Sequence, residues 1–232
     1  MAFLVTLGEL VTTCQQLANK EGDDDEQIGV PEWKAHISAH YGRLHTTVAD
    51  TGARYFETEA TINLASLALP SDHKATIGVD LVLDSAGRRR QLPELMIQER
   101  GCFAGLAGGE AQAWSFSAGN LQLYPATPTS GTYKHLYIPQ PTRYNTAADA
   151  TSIDVISTDG LEAITWGVAA VGLHRGESQQ QRALDEAAAA LGRVREWAVK
   201  RSLSEPKRQV IRSLGNSSSI HGAWNPASWR YR

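Results

Sequence analysis

The residue types best suited to bind a partner are concentrated at the end of the chain. Trp224, Trp229 and Tyr231 fall within the last nine residues, together with Arg230 and Arg232. Each of these aromatic side chains offers roughly 150–250 Å² for burial, so leaving all three in water is unfavourable. Trp, Tyr and Arg are also the types enriched at interface hot spots. The surrounding Ser, Gly, Asn and Pro residues favour an extended tail without a core of its own.

Positive charge extends upstream of this aromatic end and includes Arg208 and Arg212. Positions 193–232 hold nine Lys and Arg against two Glu, which is a net charge of +7. The whole chain carries -3, so the first 192 residues carry -10. We therefore predict that the tail binds a protein partner. The alternatives are chance clustering of charge on solvated helix faces, a tail folded onto its own domain, and stacking on single-stranded nucleic acid.

Known catalytic motifs are absent from the sequence. It contains no GxxxxGK[ST], no GxGxxG after a strand, no HExxH and no GxSxG. GLAGGE at 105–110 is glycine-rich but lacks the lysine of a phosphate-binding loop. A Ser/His/Asp triad can assemble from distant positions, yet nothing local favours one. We predict a non-enzymatic protein with no catalytic residues and no cofactor.

Candidate metal ligands are also weak. His36 and His40 are four residues apart on a predicted helix and His45 lies further along, but no third ligand accompanies them. EGDDDE at 21–26 lacks the spacing of a calcium loop and is expected to be a solvated acidic loop. We predict no metal site. RRR at 88–90 is interpreted as a solvated turn that discourages edge pairing, in preference to an inter-subunit or phosphate contact.

Composition indicates a folded protein. Of 232 residues, 42% are apolar and 20% are charged, which is enough for a packed core. The net charge of -3 gives the whole chain no electrostatic attraction to nucleic acid. Cys14 and Cys102 are too few for a disulfide scaffold or zinc site and are expected to be small buried residues. Without a signal peptide or membrane span, we expect a soluble protein made in a reducing cytoplasm.

Two helices are predicted at the N-terminus. Thr6 and Glu9 have the spacing of a capping box before a helix over 7–20, whose apolar stripe includes Cys14. Pro31 begins a second helix that extends to position 50.

The middle of the chain has strand patterns. Short strands are predicted within 55–70, a hairpin over 77–92, a second hairpin over 113–125 with its turn at Gly119-Asn120, and a further strand from Thr132. A helix near Pro93 is predicted to bury one side, with these candidate residues: Leu95, Met96 and Phe103.

Helical periodicity returns after Asp159. One helix is predicted to run to about Arg175 with an apolar stripe of Leu161, Ile164, Val168 and Val171. An alanine-rich helix follows over 179–202, and alanine favours a straight, firm helix. Its packed side is predicted from the apolar spacing as Leu184, Ala187, Ala188, Leu191, Val194 and Val199.

These elements predict an α+β fold. The N-terminal helices (1–52) and a C-terminal helical hairpin (151–204) form one helical bundle. An antiparallel β module (53–150) is inserted between them, and an extended basic and aromatic tail (205–232) follows.

Four stretches together resemble the head-to-tail adaptor, or connector, proteins of tailed bacteriophages. They are WKAHISAHYGRLHTTV, YFETEATINLASLALPSDH, NLQLYPATPTSGTYKHLYIPQP, and DGLEAITWGVAAVGLHRGES with the alanine-rich helix after it. The third is the most similar, with its L-x-L-x-P strand end, its G-T-Y and its L-x-Y-x-P-x-P strand. The resemblance covers about 30–202. It omits the EGDDDE loop and the aromatic tail.

The resemblance implies a structural virion protein that forms a ring of twelve copies below the portal, in the neck of a virion assembled in the host cytoplasm. The ring would extend the DNA channel used for ejection and give a platform to the next neck or tail protein or to tail fibres. Genome DNA would pass without sequence-specific binding, and no membrane is involved. The portal would be held by Arg208, Arg212, Trp224, Trp229, Arg230, Tyr231 and Arg232.

Two other functions remain open. One is a different neck or tail component, such as a stopper or tail-completion protein. The other is a β-sandwich module that binds a saccharide or host receptor, for which the aromatic residues of the middle region, Trp114, Tyr124, Tyr133 and Tyr137, would form a stacking platform.

Overall fold

The computed structural model describes residues 3–18, 28–103, 108–117, 119–125, 128–173 and 178–204. The fold is α+β, as predicted, and it divides into two compact units. The described residues up to Phe56 and from Gln140 to Ser204 form a helical unit. Glu57–Pro139 forms a β unit. Because the helical unit uses both ends of the described chain, the β unit is an insertion within it.

The helices are α1 (Leu7–Leu17), α2 (Val30–Asp50), α3 (Thr158–Gly172) and α4 (Ser178–Ser204). The strands are β1 (Leu4–Thr6), β2 (Thr58–Thr61), β3 (His73–Val82), β4 (Arg89–Leu92), β5 (Ala113–Ser117), β6 (Asn120–Tyr124), β7 (Thr132–Pro139) and β8 (Ser152–Asp154). A 3-10 helix covers Ile97–Phe103. Strands β1 and β8 pair antiparallel within the helical unit.

Local signals define the starts of the helices. The predicted capping box of α1 is present: the Glu9 backbone N–H donates to Thr6 Oγ1, and the Thr6 N–H donates to Glu9 Oε2. Pro31 lies in the first turn of α2, as predicted. The Ser157 hydroxyl accepts from the Gly160 N–H at the start of α3. The caps of α1 and α3 each accept a hydrogen bond from a backbone N–H that has no acceptor within the helix.

Helix α3 packs closely against α2 through glycine. A Cβ on Gly167 would lie 2.3 Å from His40 Nδ1, and a Cβ on Gly172 would lie 2.7 Å from the Trp33 ring. A Cβ on Gly160 would lie 3.4 Å from Leu44. Later positions on α3 therefore meet earlier positions on α2, so the two helices run antiparallel at a separation that only glycine permits.

The core of the helical unit draws on all four helices and on the segment before α3. Cys14 is fully buried, as predicted, and burial raises the pKa of its thiol to about 12. The side chain of Cys102 lies outside the described part. The buried members of this core include Leu7, Leu10, Trp33, Ile37, Tyr41, Leu44, Tyr144, Ile153, Ile164, Val168 and Val194.

The packed side of α4 differs from the predicted one. Val194 is buried, but Leu184 and Val199 are 46% and 41% exposed. The buried positions are small residues spaced along the helix: Ala183, Ala190 and Ala198. Val171 on α3 is likewise exposed. The apolar residues of α4 therefore extend over a wider part of the helix surface than the part that α3 and α2 cover.

The β unit contains a four-stranded antiparallel sheet with the order β2-β7-β3-β4 and a separate hairpin of β5 and β6. The Leu95 N–H donates to the Trp114 carbonyl, and the Trp114 N–H donates to the Pro93 carbonyl, so β5 pairs with the segment directly after β4. The larger core of the unit has the buried members Ile62, Val79, Leu81, Leu92, Ala111, Trp114, Leu121, Leu123 and Tyr133. Leu95, Phe103 and Ala113 form a smaller cluster.

Both predicted hairpins are confirmed, but two other predictions for this region are wrong. The helix near Pro93 is a 3-10 helix that begins at Ile97; Leu95 and Phe103 are buried, whereas Met96 is 45% exposed. The segment 62–70 is not a strand. The Asn63 carbonyl accepts from the Leu67 N–H, which turns the chain so that leucines of this segment pack on the β core.

The inserted unit is shorter than the predicted 53–150. Tyr144 and Ile153 are buried in the helical core, and Phe56 packs against it. The prediction placed residues 140–150 in the β module, whereas they belong to the helical unit.

Replacing Gly160 with alanine tests the close fit between the start of α3 and the segment before it. The new Cβ would lie 1.9 Å from the Val155 carbonyl oxygen, so the backbone has to shift. We expect Gly160→Ala to lower the free energy of unfolding by about 1–3 kcal/mol. The matched control is Gly192→Ala on α4, where nothing lies within 4 Å; it should raise stability by roughly 0.5–1 kcal/mol. Urea denaturation measures both, and equal effects at the two positions would contradict the packing argument.

His40 provides a pH test of the contact between α2 and α3, because its ring lies against Gly167. Burial lowers the pKa of its imidazole to about 4, with further contributions from Arg43 and His36. Between pH 6.5 and 4 the folded protein therefore binds fewer protons here than the unfolded chain, and stability at this site falls as pH falls. We expect His40→Gln to show a flatter decline over this window than the wild type. The readout is the urea midpoint at successive pH values, and an unchanged slope would refute the assignment.

Candidate functional site

The predicted partner-binding residues lie beyond the last described residue, Ser204. Arg208, Arg212, Trp224, Trp229, Arg230, Tyr231 and Arg232 are all outside the described part of the chain. The acidic loop 21–26 and residues 105–107 of the glycine-rich GLAGGE segment are outside it as well. The structure therefore describes the base from which the tail departs, which is the C-terminal end of α4.

The end of α4 presents apolar side chains to solvent. Leu203 is 69% exposed and Val199 is 41% exposed, one helical turn apart. Arg195 and Lys200 are exposed near them. Exposed leucine and valine beside basic side chains give this surface both apolar area and positive charge, which suits a protein interface.

An aromatic and arginine cluster holds this end of α4 to the body of the helical unit. The Trp197 ring meets the Tyr55 ring edge-on, with 5.6 Å between centroids. The Arg201 guanidinium lies over both rings, 5.1 Å from the Tyr55 centroid and 5.5 Å from the Trp197 centroid. The Tyr55 hydroxyl donates to the Asp154 carboxylate at 2.7 Å. We call these four residues the α4 clamp.

The clamp continues into the core through aromatic stacking. Phe56 meets Tyr55 edge-on at 5.1 Å and stacks on His45 at 4.1 Å, and His45 is buried on α2. Burial, together with the hydrogen bond to Asp154, raises the pKa of the Tyr55 phenol above its ordinary value. Tyr55 therefore stays neutral and acts as a donor at physiological pH.

A second link fixes α4 to the start of α3. Arg193 Nε lies 2.6 Å from Asp159 Oδ1, and Arg193 Nη2 lies 2.5 Å from Glu162 Oε2. These groups are about half exposed, so the ion pairs add little to stability, but they set the register of the hairpin. The C-terminal half of α4 thus contacts both α3 and the segment that holds Tyr55.

The sequence analysis missed the α4 clamp. Trp197 and Arg201 are four residues apart, which places them on one face of a helix, and this spacing was the available signal. Tyr55 and Asp154 are 99 residues apart, and no local pattern joins them.

The aromatic residues of the middle region do not form a stacking platform. Trp114 and Tyr137 are buried, and Tyr133 is fully buried. Their polar atoms are used internally: Trp114 Nε1 donates to the Leu92 carbonyl and the Tyr133 hydroxyl to the Ser130 carbonyl. Only Tyr124 of the four is half-buried. Three of the four rings are therefore core residues of the β unit.

The three arginines at 88–90 lie at the end of the first hairpin and make ion pairs. Arg88 pairs with Asp84, Arg89 Nη1 lies 2.6 Å from Glu59 Oε2, and Arg90 is 3.7 Å from Glu110. Their side chains are 36–80% exposed. Arg89 and Arg90 belong to the edge strand β4, so of the three predicted turn residues only Arg88 lies in the connection between β3 and β4. Charges on an edge strand discourage further strand pairing.

The candidate metal ligands of α2 point in different directions. His40 packs on Gly167 of α3, and the His45 ring stacks on Phe56. Within the described ranges, no three His, Cys, Asp or Glu side chains are placed to hold a metal ion together.

Comparisons with known proteins identify no family. No protein-family model matches the chain, and no curated protein matches it significantly. None of the described helices has the length and apolar character needed to cross a bilayer.

Substitutions in the α4 clamp should loosen the end of the helix. We expect Trp197→Ala to lower the free energy of unfolding by about 2 kcal/mol, because its half-buried ring contacts Tyr55 and Arg201. Arg201→Met keeps the aliphatic stem and should cost about 0.5–1 kcal/mol. Arg195→Met, on the exposed face of the same helix, is the control and should be near neutral. Amide hydrogen exchange over 195–204 measures the local effect; equal exchange in the Arg201 and Arg195 variants would contradict the clamp.

Proposed function

We propose that this chain is a head-to-tail adaptor of a tailed bacteriophage, a non-enzymatic structural protein of the virion neck. Twelve copies form a ring that docks to the portal, extends the DNA channel and gives a platform to the next neck or tail protein. The main support for the proposal is the end of α4, where Val199 and Leu203 are exposed. The sequence that follows directly is rich in Trp and Arg.

The architecture supports this function in two ways. First, the clamp and the Arg193 ion pairs hold α4 in place, so a tail that starts at position 205 leaves from a fixed point. A fixed departure point reduces the ordering cost of binding for the segment that follows. Second, the β unit has exposed apolar side chains of its own, at Leu83, Met96 and Phe116. A cyclic ring needs two different patches on each copy.

The alternatives are less well supported. A saccharide platform built from the middle aromatics loses its basis, because Trp114, Tyr133 and Tyr137 are core residues. Another neck component, such as a stopper or tail-completion protein, uses the same kind of surfaces. It differs from the adaptor in what it contacts, so binding to the portal is the deciding observation.

The adaptor function is tested with the purified portal and the full-length chain. We expect Ser substitutions at Trp224, Trp229 and Tyr231 to abolish co-sedimentation with portal rings, because these side chains are the proposed anchors. The matched control replaces the same number of tail residues, 217–219, with alanine and should leave binding intact. Circular dichroism checks the fold of both variants.

Deleting 215–232 extends this test. The truncated chain should keep its fold and lose portal binding, and negative-stain images of the full-length chain with its portal should show a ring below the portal. Portal binding that survives the deletion would refute the role of the tail. A full-length chain that stays monomeric in light scattering, with and without portal, would refute the adaptor function.

A further inference from the structure

Two histidines of the β unit converge on one hydroxyl group. His73 begins β3 and His135 lies in β7, 62 residues later in the chain. The Nε2 atom of each ring is 3.0 Å from Thr76 Oγ1. The rings are nearly parallel, with 5.4 Å between centroids and 28° between planes. The antiparallel pairing of β3 with β7 creates this arrangement, which has no counterpart in sequence spacing.

The protonation of this group is constrained by its hydrogen bonds. A hydroxyl has one proton, so Thr76 donates to one Nε2 at most, and the other Nε2 then donates to Thr76. Burial lowers the pKa of both imidazoles, that of His135 to about 4. The ring that donates to Thr76 carries its proton on Nε2, so it has to take the other tautomer before that nitrogen binds an ion.

Neighbouring side chains hold the two rings in orientation. Tyr137 stacks on His135 at 5.1 Å, and Phe116 stacks on His73 at 6.0 Å. The Tyr137 hydroxyl donates to Asp72 Oδ1, and the Asp72 carboxylate acts electrostatically on His73. A carboxylate beside a ligating histidine is a common outer-sphere arrangement at metal sites.

Solvent can reach one side of the group. His135 is buried, but His73 is only half-buried and Phe116 is 40% exposed. An ion could therefore enter from the His73 side without unfolding of the sheet.

We propose that His73, His135 and Thr76 bind a divalent transition-metal ion of the zinc class. Two imidazoles and a hydroxyl favour zinc, copper or nickel over magnesium or calcium, which prefer several carboxylate oxygens. Zinc–nitrogen bonds are about 2.0–2.1 Å, so neighbouring ligand atoms of a tetrahedral zinc ion lie roughly 3.3 Å apart. The 3.0 Å between Thr76 Oγ1 and each Nε2 is close to this spacing. With three protein ligands at most, water completes the coordination, and the site is an open one. This inference is independent of the adaptor function.

The other histidine pair of the chain serves as an internal control. His36 and His40 have the i,i+4 spacing that often binds metal ions on helices. However, His40 is held against Gly167 of α3, where its Nδ1 faces the helix backbone. Sequence spacing favours His36 and His40 as a metal-binding pair, whereas only the fold brings His73 and His135 together. Variants of the first pair therefore serve as the control for the second.

Calorimetric titration of the full-length chain with ZnCl₂ at pH 7.5 tests the proposal. We expect saturable binding that weakens at least tenfold in His73→Gln and His135→Gln and is unchanged in the double variant His36→Gln/His40→Gln. MgCl₂ should give no binding. Absence of zinc binding, unchanged affinity in His73→Gln, or an equal loss in the α2 double variant would each overturn the site.

Because His135 is buried, its variant could fail to fold, and a second measurement uses the unaltered chain. The chain has seven histidines, each with an observable imidazole nitrogen pair in long-range ¹H–¹⁵N spectra. Zinc should shift the Nε2 signals of His73 and His135, assigned with His73→Gln, before those of the other five. Shifts confined to other histidines would refute the proposal even if zinc binds.

Discussion

The close approach of α3 to α2 is the constraint on which the helical unit depends. Gly167 and Gly172 bring the α3 backbone against the His40 imidazole and the Trp33 indole of α2, at distances that exclude any Cβ. Helix α4 packs mainly on α3, so the position of α4 follows from this contact. The position of the exposed end of α4 therefore depends on packing between residues that are distant in the sequence.

The α4 clamp joins the end of α4 to the rest of the helical unit. Arg201 covers two aromatic rings, and Tyr55 links them to Asp154, while Val199 and Leu203 remain exposed. A helix that packs on one side and has exposed apolar and basic side chains on the other has the composition of an interface surface. This surface is the basis of the assembly function proposed above.

The β unit uses its aromatic residues differently from the helical unit. Trp114 and Tyr133 lie in the core of the β unit, and each donates a hydrogen bond to a nearby backbone carbonyl. They therefore stabilise the insertion and are not available to a ligand. At one end of β3 and β7 the core becomes polar, and His73 and His135 meet at Thr76. A sheet that pairs distant segments can thus assemble ligand-forming groups that are far apart in the chain.

The sequence by itself determined the local features of this protein. The Thr6–Glu9 capping box, the hairpins of the β unit and the burial of Cys14 follow from spacing and turn chemistry, which act over a few residues. Tertiary structure alone decided which side of α4 is covered: Ala183, Ala190 and Ala198 are buried, whereas Leu184 and Val199 are exposed. It also decided the segment 62–70, the 3-10 helix after Pro93, the Tyr55–Asp154 contact and the His73–His135 pair. Each of these depends on contacts between distant residues, and no period of the sequence encodes such contacts.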